Sequence, residues 1–379
     1  MKQGWEIKKL GEVATYVNGY AFKPEHWVEK GTPIIRIQNL NNPDASYNYC
    51  DFDIPSKYIV ERGDILISWS ASLGVYEWEH EKGYLNQHIF KVVFDKGNIN
   101  KYYLKYAVSA KISDMLKNLH GATMKHIVKK DFDNTLIPVP PIAEQEKIVA
   151  ELDCLSGIIE KKKQQLKELD NLVQSIFYEM FGDPVENDKG WEVKKIGEVC
   201  IVERGGSPRP INAFITDDEN GVNWIKIGDA TEGSRFITST KEKIIPEGVR
   251  KSGMVKKGDF ILSNSMSFGR PYIMGIDGCI HDGWLVLRDK DNVFDKTYLY
   301  YYLGSSHVYQ EFKRLAVGGV VNNLNSELVR GVRVAIPSFS VQQEFASKIE
   351  SIEKQKELIA QSIKETETLF NSRMDYYFN

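Results

Sequence analysis

Hydrophobic positions recur along two long stretches of the chain at alternating steps of four and three residues. Polar residues occupy a few of these steps, Lys162 in the first stretch and Lys356, Thr366 and Arg373 in the second. Proline-containing segments, IPVPP at 137–141 and IPS at 336–338, precede the two series and mark where each helix begins. This spacing puts a series on one face of a helix, and its length, roughly four to five heptads, is typical of a coiled coil. The predicted seam comprises Ile148, Leu152, Leu155, Ile159, Leu166, Leu169, Val173, Ile176, Met180, Phe345, Ile349, Ile352, Ile359, Ile363, Phe370 and Tyr377.

Shorter apolar runs precede each of these helices. They are rich in Val, Ile, Trp and Phe and are separated by Gly, Pro, Asn and Asp, which is the pattern of β-strands between turns. A helical pattern follows each set of runs, at 101–118 and at 296–314. Each globular part is therefore predicted to be mixed α and β. The runs lie at 33–40, 63–70, 88–94, 222–229, 258–265 and 283–289.

The same order of elements occurs twice. WEIKKLGEV at 5–13 returns as WEVKKIGEV at 191–199, GDILIS at 63–68 returns as GDFILS at 258–263, and residues 121–182 align without a gap with 318–379. We therefore predict an α+β protein in which two mixed α/β domains are related by an approximate two-fold axis and separated by two long helices. The predicted segments are a first domain at 1–140, a helix at 141–182, a second domain at 187–337 and a helix at 338–379.

Connectivity predicts the direction of the helices. If the chain enters and leaves each domain at neighbouring points, the second helix runs back toward the first domain, and the two helices form an antiparallel coiled coil. At 1.5 Å per residue, about 35 residues give a rod of about 50 Å. The alternative is that each helix packs only on its own domain.

Composition excludes several classes of protein. The net charge of −3 excludes a uniformly basic nucleic-acid binder, although local basic patches remain compatible with it. The four cysteines have no CxxC spacing and indicate reduced thiols rather than disulfides or zinc ligands. No apolar run is long enough for a membrane span, and the first residues do not form a signal peptide, so we expect a cytoplasmic protein.

The repeated block W-E-x-K-K-[IL]-G-E-V, the pair GDILIS and GDFILS, and the segments GATMKHIVKKDFDNTLIPVPPIAEQEKIVAELD at 121–153 and GGVVNNLNSELVRGVRVAIPSFSVQQEFASKIE at 318–350 resemble the specificity subunit of Type I restriction-modification enzymes. The resemblance implies two target-recognition domains, each reading one half of a bipartite sequence in duplex DNA. It implies paired helices that set the spacer between the half-sites and dock two modification (methyltransferase) subunits, through which restriction subunits join. It also implies a chain that is not an enzyme, with S-adenosylmethionine and ATP bound by the partner subunits.

Basic and polar residues outside the seam are candidates for contacts with DNA phosphates. The stretch 117–130 contains no acidic residue, and lysines and hydroxyls there would position a duplex without reading its sequence. The alternative interpretation of this stretch is a solvated helix end. In the second copy Thr-Met-Lys-His becomes Val-Val-Asn-Asn. The phosphate candidates are Lys117, Thr123, Lys125, His126, Lys129, Lys130, Arg204, Arg209, Arg250, Lys251, Asn322 and Asn323.

Base reading requires polar side chains that reach the major groove. Such residues stand directly after predicted strands at matching places in both halves, which favours loops displayed at one edge of each domain. Turn formation alone also accounts for serine and asparagine at such places. The base-reading candidates are Arg36, Gln38, Asn39, Ser68, Trp69, Ser70, Ser72, Asn86, Gln87, His88, Lys226, Asn264, Ser265, Ser267, Arg270, His281 and Asp282.

Catalysis finds no support in the sequence. The chain has no Walker-type phosphate loop, no HExxH, no GxSxG, and no Asn-Pro-Pro-Tyr or Asp-Pro-Pro-Tyr tetrapeptide. The alternative to DNA reading is a two-lobed coiled-coil adaptor that binds proteins. The two halves match in their entry blocks and helices and differ in the domain interiors, which favours two domains that read different half-sites.

Overall fold

A computed structural model gives the fold of the chain. It describes residues 4–42, 44–70, 72–118, 128–184, 186–231, 233–264, 269–316 and 324–379, without the side chains of 113–118 and 316. The chain divides into two compact units. The first unit consists of residues 1–164 and 360–379, and the second unit consists of residues 165–359.

The first unit contains two four-stranded sheets and one two-stranded sheet. Its strands are β1 Glu6–Lys9, β2 Thr15–Asn18, β3 Thr32–Ile35, β4 Asn48–Cys50, β5 Ile59–Val60, β6 Ile65–Ser68, β7 Gly74–Glu77, β8 Gly83–Leu85, β9 Ile89–Val93 and β10 Leu136–Val139. Its helices are α1 Leu10–Val13, α2 Ile37–Asn41, α3 Lys101–Asn118 and α4 Lys129–Asp133, and the long helix α5 Ile142–Phe181 begins here. The sheet orders are β2-β9-β6-β7, β4-β3-β8-β5 and β1-β10.

The second unit repeats this order of elements. Its strands are β11 Glu192–Lys195, β12 Cys200–Arg204, β13 Ile215–Thr216, β14 Val222–Ile225, β15 Phe236–Ile237, β16 Glu242–Ile244, β17 Gly253–Val255, β18 Phe260–Ser263, β19 Pro271–Met274, β20 Gly278–Ile280, β21 Trp284–Asp289 and β22 Arg333–Ile336. Its helices are α6 Ile196–Val199, α7 Pro246–Val249, α8 Lys296–Leu303, α9 Ser306–Ala316, α10 Ser326–Gly331 and α11 Phe339–Phe378, which ends in the first unit.

The sheets of the two units correspond strand by strand. The order β12-β21-β18-β19 matches β2-β9-β6-β7, and β16-β14-β20-β17 matches β4-β3-β8-β5, while β15 and β13 extend the two sheets of the second unit. The same parallel pair occurs in both units, with Ile34 opposite Tyr84 and Trp224 opposite Cys279. In the second unit β15 and β19 are also parallel. Apolar side chains between the sheets and helices form the core of each unit.

Each entry block pairs with the strand that precedes the long helix. Glu6 lies opposite Val139 in the pair β1 and β10, and Glu192 lies opposite Ile336 in the pair β11 and β22. The chain therefore enters each globular domain beside the point where it leaves. This is the arrangement that the prediction of antiparallel helices required.

The long helices pack against each other with opposite directions in each unit. In the first unit, Glu151 pairs with Arg373 and Lys163 pairs with Glu367. The later residue of α5 thus contacts the earlier residue of α11, as in an antiparallel pair. In the second unit, Asp170 binds Lys356 at 2.7 Å. Every predicted seam position is buried or half-buried, while most residues between them are exposed. The predicted α+β class with two long antiparallel helices is confirmed.

Three predicted elements differ from the structure. The run at 222–229 is a strand only to Ile225, because a 3₁₀ helix follows at Ile227–Asp229. The run at 33–40 is a strand only to Ile35, because α2 begins at Ile37 and the amide N–H of Arg36 is capped by the Asn39 Oδ1 at 3.1 Å. The helical stretch at 296–314 is two helices, since α8 ends at Leu303, just before Gly304, and α9 begins at Ser306. The matching helix α3 is continuous from Lys101 to Asn118.

Candidate nucleic-acid interface

In each unit the ends of four strands are joined to one another by hydrogen bonds, and we call the residues that follow these strands the strand-end surface. In the second unit it consists of the residues that follow β12, β14, β18 and β20, and in the first unit of those that follow β2, β3, β6 and β8. Most of the base-reading candidates predicted from the sequence lie at these places. The structure therefore brings together residues that are far apart in the sequence.

Asp282 is the centre of the strand-end surface in the second unit. Its carboxylate accepts a hydrogen bond from the Ser207 hydroxyl at 2.7 Å and lies 3.8 Å from the guanidinium of Arg209. Its backbone carbonyl accepts hydrogen bonds from Arg204 Nε at 3.0 Å and Asn264 Nδ2 at 2.8 Å. Candidates from three separate loops are thus joined in one network.

The charges of this network are fixed by its contacts. The hydrogen bond from Ser207 lowers the pKa of Asp282 below its usual value, so this residue is a carboxylate at neutral pH. The side chain of Arg209 is 84% exposed and presents a cation beside it. A carboxylate accepts a hydrogen bond from the amino group of cytosine, and arginine binds guanine or phosphate. The pair therefore offers both an acceptor and donors to a DNA duplex.

His281 and Lys226 lie next to this network. The Nε2 atom of His281 accepts a hydrogen bond from the amide of Ile227 at 3.1 Å. Burial lowers the pKa of His281, so the ring is neutral at pH 7. The ammonium group of Lys226 is paired with the carboxylate of Glu242. Both residues belong to the strand-end surface, and their polar groups are already engaged within the unit.

In the first unit, Trp69 occupies the corresponding strand-end surface. Its indole Nε1 donates a hydrogen bond to the Asn18 Oδ1 at 3.1 Å, and its ring stacks on Phe90 at 5.6 Å between centroids. The ring of His88 approaches the indole edge-on at 4.9 Å. The aromatic side chain is half-buried, so part of it faces solvent.

The turn Asn86-Gln87-His88 lies beside Trp69. The amide of Asn86 donates to the Ile35 carbonyl at 3.2 Å, and the amide of Gln87 donates to the Tyr20 carbonyl at 2.9 Å. His88 has a positive φ of 73°, which non-glycine residues rarely adopt. The Asn86 Oδ1 and His88 Nδ1 are buried atoms without a hydrogen-bond partner among the residues that the structure describes.

One glycine in each unit allows the strands to meet so closely. A Cβ on Gly19 would lie 2.0 Å from the carbonyl oxygen of Asn86, and a Cβ on Gly205 would lie 2.2 Å from that of His281. No side chain fits at such distances. These glycines, and Asn18 and Ser207 beside them, were not among the residues predicted from the sequence. The available signal was a glycine close to a polar residue at the end of the second strand of each unit, β2 or β12.

Several base-reading candidates hold the scaffold instead. Asn39, Ser68 and Asn264 are buried, and each hydrogen-bonds to backbone atoms of its own unit. Asn39 joins α2 to the loop at 45–46, and the hydroxyl of Ser68 donates to the carbonyl of Ser72. Their placement speaks against direct contact with bases, and we correct the prediction for these three residues. A polar residue after a strand satisfies turn backbone groups as readily as it faces solvent.

Other candidates lie near the surface. Gln38, Ser72 and Arg270 are exposed and Ser70 is half-buried. The guanidinium of Arg36 donates to the Asn48 Oδ1 at 2.8 Å and lies over the ring of Trp27.

The basic phosphate candidates that the structure describes are exposed at the surface. Lys129, Lys130, Arg204, Arg209, Arg250 and Lys251 are all exposed. Two groups of candidates lie outside this description. The first is Thr123, Lys125, His126, Ser265, Ser267, Asn322 and Asn323, and the second is Lys117, whose backbone is in α3 but whose side chain is not described.

Over the residues that the structure describes, no group of three His, Cys, Asp or Glu side chains is placed to hold a metal ion. Among the described helices, none is both long and apolar enough to cross a membrane.

Substitution of Lys129 tests whether this residue contacts DNA phosphates. Its ammonium group pairs with Asp133 at 2.7 Å and lies over the ring of Phe90. Lys129→Ala is expected to weaken the binding of duplex DNA equally for all sequences and to lower the salt dependence by about one phosphate contact. Titrations against specific and unrelated duplexes over a salt series measure both effects.

Asp133→Asn is the matched control, because it leaves the lysine in place and removes its anionic partner. It is expected to leave binding unchanged or stronger. A change in the preferred half-site for Lys129→Ala would contradict the assignment.

Comparison with known proteins gives the family. The sequence model of the family described as Type I restriction modification DNA specificity domain matches residues 2–171 and 188–368. The Type I restriction enzyme EcoBI specificity subunit of Escherichia coli is 23% identical over 376 residues, which cover 92% of this chain and 79% of that protein. The MjaVIII specificity subunit of Methanocaldococcus jannaschii is 25% identical over 384 residues, covering 93% and 86%.

Solved structures support the same fold. A chain from a structure on complex assembly and conformational transition of a type I R-M system has a TM-score of 0.64 at 19% identity, covering 98% of this chain and 97% of that chain. The S subunit of a Type I restriction-modification system from M. genitalium has a TM-score of 0.55 at 12% identity, covering 99% and 96%. The resemblance found in the sequence is thereby confirmed. Because the family description covers most of the chain in two copies, this protein belongs to the Type I restriction-modification DNA specificity family and contains two target-recognition domains.

Proposed function

We propose that each domain of this specificity subunit reads one half of a bipartite target in duplex DNA. The observation that carries the proposal is the strand-end surface. The two units build it from corresponding strands and a corresponding glycine, Gly19 or Gly205, yet they display different side chains there. A common scaffold with different polar residues is expected of two domains that read two different sequences.

We further propose that the paired helices set the spacer between the half-sites and dock two modification subunits. Leu172 in the second unit and Leu369 in the first occupy equivalent positions of α5 and α11, and they are 46% and 50% exposed. An exposed leucine repeated at the same place on both helices fits a partner that binds twice. Restriction subunits would join through the modification subunits.

In this proposal the chain has no catalytic role. Methylation and cleavage are carried out by the partner subunits, which bind S-adenosylmethionine and ATP. The support is the absence of nucleotide-binding and methyltransferase motifs from the sequence together with the family. The alternative, an adaptor that binds only proteins, is not favoured, because membership in a DNA specificity family supports DNA reading.

A domain exchange tests the proposal. Residues 1–136 are replaced by the equivalent domain of a relative with a different target, and the chimera is expressed with its modification subunits. We expect the methylated sequence to change in one half only, because the last three residues of β10 and the long helix after them are retained. Methylation mapping by long-read sequencing of the host DNA gives the result.

The reciprocal exchange of residues 187–333 is the matched control, and it should change the other half only. If both halves changed in either chimera, the domains would not read independently. If the native chain with its modification subunits directed no methylation to any bipartite sequence, the proposal itself would be wrong.

A further inference from the structure

A buried glutamine occupies the fourth position of each long helix. Gln145 of α5 and Gln342 of α11 are both fully shielded from solvent. They belong to neither the strand-end surfaces nor the predicted seam. A buried amide is retained only where it is hydrogen-bonded, and the contacts of these two show what they hold together.

In the first unit, Gln145 joins the beginnings of two helices. Its Oε1 accepts a hydrogen bond from the amide of Asn100 at 2.7 Å, and Asn100 is the residue that precedes α3. Its Nε2 donates to the carbonyl of Pro140, two residues before the start of α5, at 2.7 Å, and lies 3.4 Å from the carbonyl of Asn98. One amide thus fixes the base of α5 against the base of α3.

The second unit repeats this arrangement. The Oε1 of Gln342 accepts from the amide of Asp295 at 2.8 Å, and Asp295 is the N-cap of α8. Its Nε2 donates to the carbonyl of Pro337 at 2.9 Å and to that of Val293 at 3.0 Å. The same three hydrogen bonds form in two units whose domain interiors differ.

A buried tyrosine reinforces each glutamine. Tyr103 of α3 donates its hydroxyl to the carbonyl of Pro138 at 2.7 Å, and Tyr298 of α8 donates to that of Ala335 at 2.8 Å. These carbonyls belong to β10 and β22, the strands that lead into the long helices. We call each pair, Gln145 with Tyr103 and Gln342 with Tyr298, a helix latch.

We propose that the two helix latches set the precision of the spacer by fixing the angle between each domain and its long helix. This inference rests on the proposed function, in which the helices are the ruler. A tilt of about 4° at the base of a rod of about 50 Å displaces its far end by about 3.5 Å, close to one base pair. Without the latches the half-sites would still be read, but at more than one spacing.

The experiment uses the full chain in complex with its modification subunits. Gln145→Glu and Gln342→Glu keep an oxygen that accepts from the amide of Asn100 or Asp295. In place of the Nε2 that donated to two carbonyl groups, they have a second carboxylate oxygen, which repels those carbonyl oxygens. We expect methylation at sites whose spacer differs by one base pair to rise about tenfold relative to native sites. The half-site sequences should stay the same. Methylation mapping reads both quantities.

Gln343→Ala is the matched control, because Gln343 is the next residue of α11 and is exposed. It should keep the native spacer distribution. Glutamate variants that fold and methylate only the native spacer would overturn the proposal. A change in half-site sequence at unchanged spacing would overturn it too. If the native chain shows no bipartite target, the proposed function fails rather than the latch.

Tyr103→Phe and Tyr298→Phe keep the proposal testable if the glutamate variants do not fold. Each removes one hydroxyl and leaves the aromatic packing in place. Their expected effect has the same direction and a smaller size, about threefold more methylation at altered spacers. If these variants fold and their spacer distribution equals that of the native chain, the latches do not set the spacer.

Discussion

Phe345→Ala is expected to lower the free energy of unfolding of the second unit by about 3–5 kcal/mol. Phe345 is fully buried near the start of α11. Its ring packs against Phe177 and Phe181 of α5, at 5.7 Å and 5.1 Å between centroids, and against Tyr301 of α8 at 5.7 Å. The substitution leaves a cavity where the long helices meet the globular domain, and it removes three aromatic contacts.

Hydrogen exchange of peptides from the second unit, followed by mass spectrometry over a urea series, measures this loss. Phe339→Ala is the matched control, because Phe339 begins the same helix and is 45% exposed. That change should stay within about 0.5 kcal/mol of the native value. A loss below about 1.5 kcal/mol for Phe345→Ala would mean that the aromatic cluster does not anchor α11.

The helices could be predicted because their pattern is long and local. Seam residues such as Leu152 and Ile349 repeat over many turns, and the prolines before them mark the starts, so the predicted helices at 141–182 and 338–379 match α5 and α11 to within a residue. Short strands carry less information. The run at 33–40 reads as one strand, but the Asn39 side chain caps a helix turn, and no periodicity reveals that contact.

The strand-end surface could be predicted only in part. Polar residues after β18 and β20 were found, because such residues commonly follow buried strands in turns. Whether each one faces solvent depends on tertiary packing. Asn264 and Asp282 follow strands in the same way, yet the first is buried and the second is half-buried beside Arg209. Gln145 and Gln342 were missed because glutamine in a first helical turn is normally exposed.

Inserting four residues after Gln165 is expected to lengthen the preferred spacer by one or two base pairs. Four residues extend a helix by about 6 Å and rotate the remainder of the helix by about 40°. B-DNA rises about 3.4 Å per base pair along a strand, so the length added to the ruler corresponds to nearly two base pairs. Gln165 stands where α5 passes from the first unit to the second, so the insertion leaves both globular domains unaltered.

The single insertion should also destabilise the helix pair. Lys163 pairs with Glu367 at 3.4 Å in the first unit and Asp170 pairs with Lys356 at 2.7 Å in the second. An insertion between Lys163 and Asp170 moves these two residues apart by more than one further helical turn. Lys163 and Asp170 therefore cannot both keep their partners on an unaltered α11. A second insertion of four residues after Ile359, at the corresponding boundary in α11, lengthens both helices equally.

The double insertion should therefore recover most of the lost stability and keep the longer spacer. Thermal unfolding of the chains and methylation mapping of host DNA distinguish the two effects. A seven-residue insertion at both boundaries preserves the heptad phase and adds about 10.5 Å, so it should lengthen the spacer by about three base pairs. Active variants that keep the native spacer would show that the helices are not the ruler, because every insertion changes their length and leaves both strand-end surfaces intact.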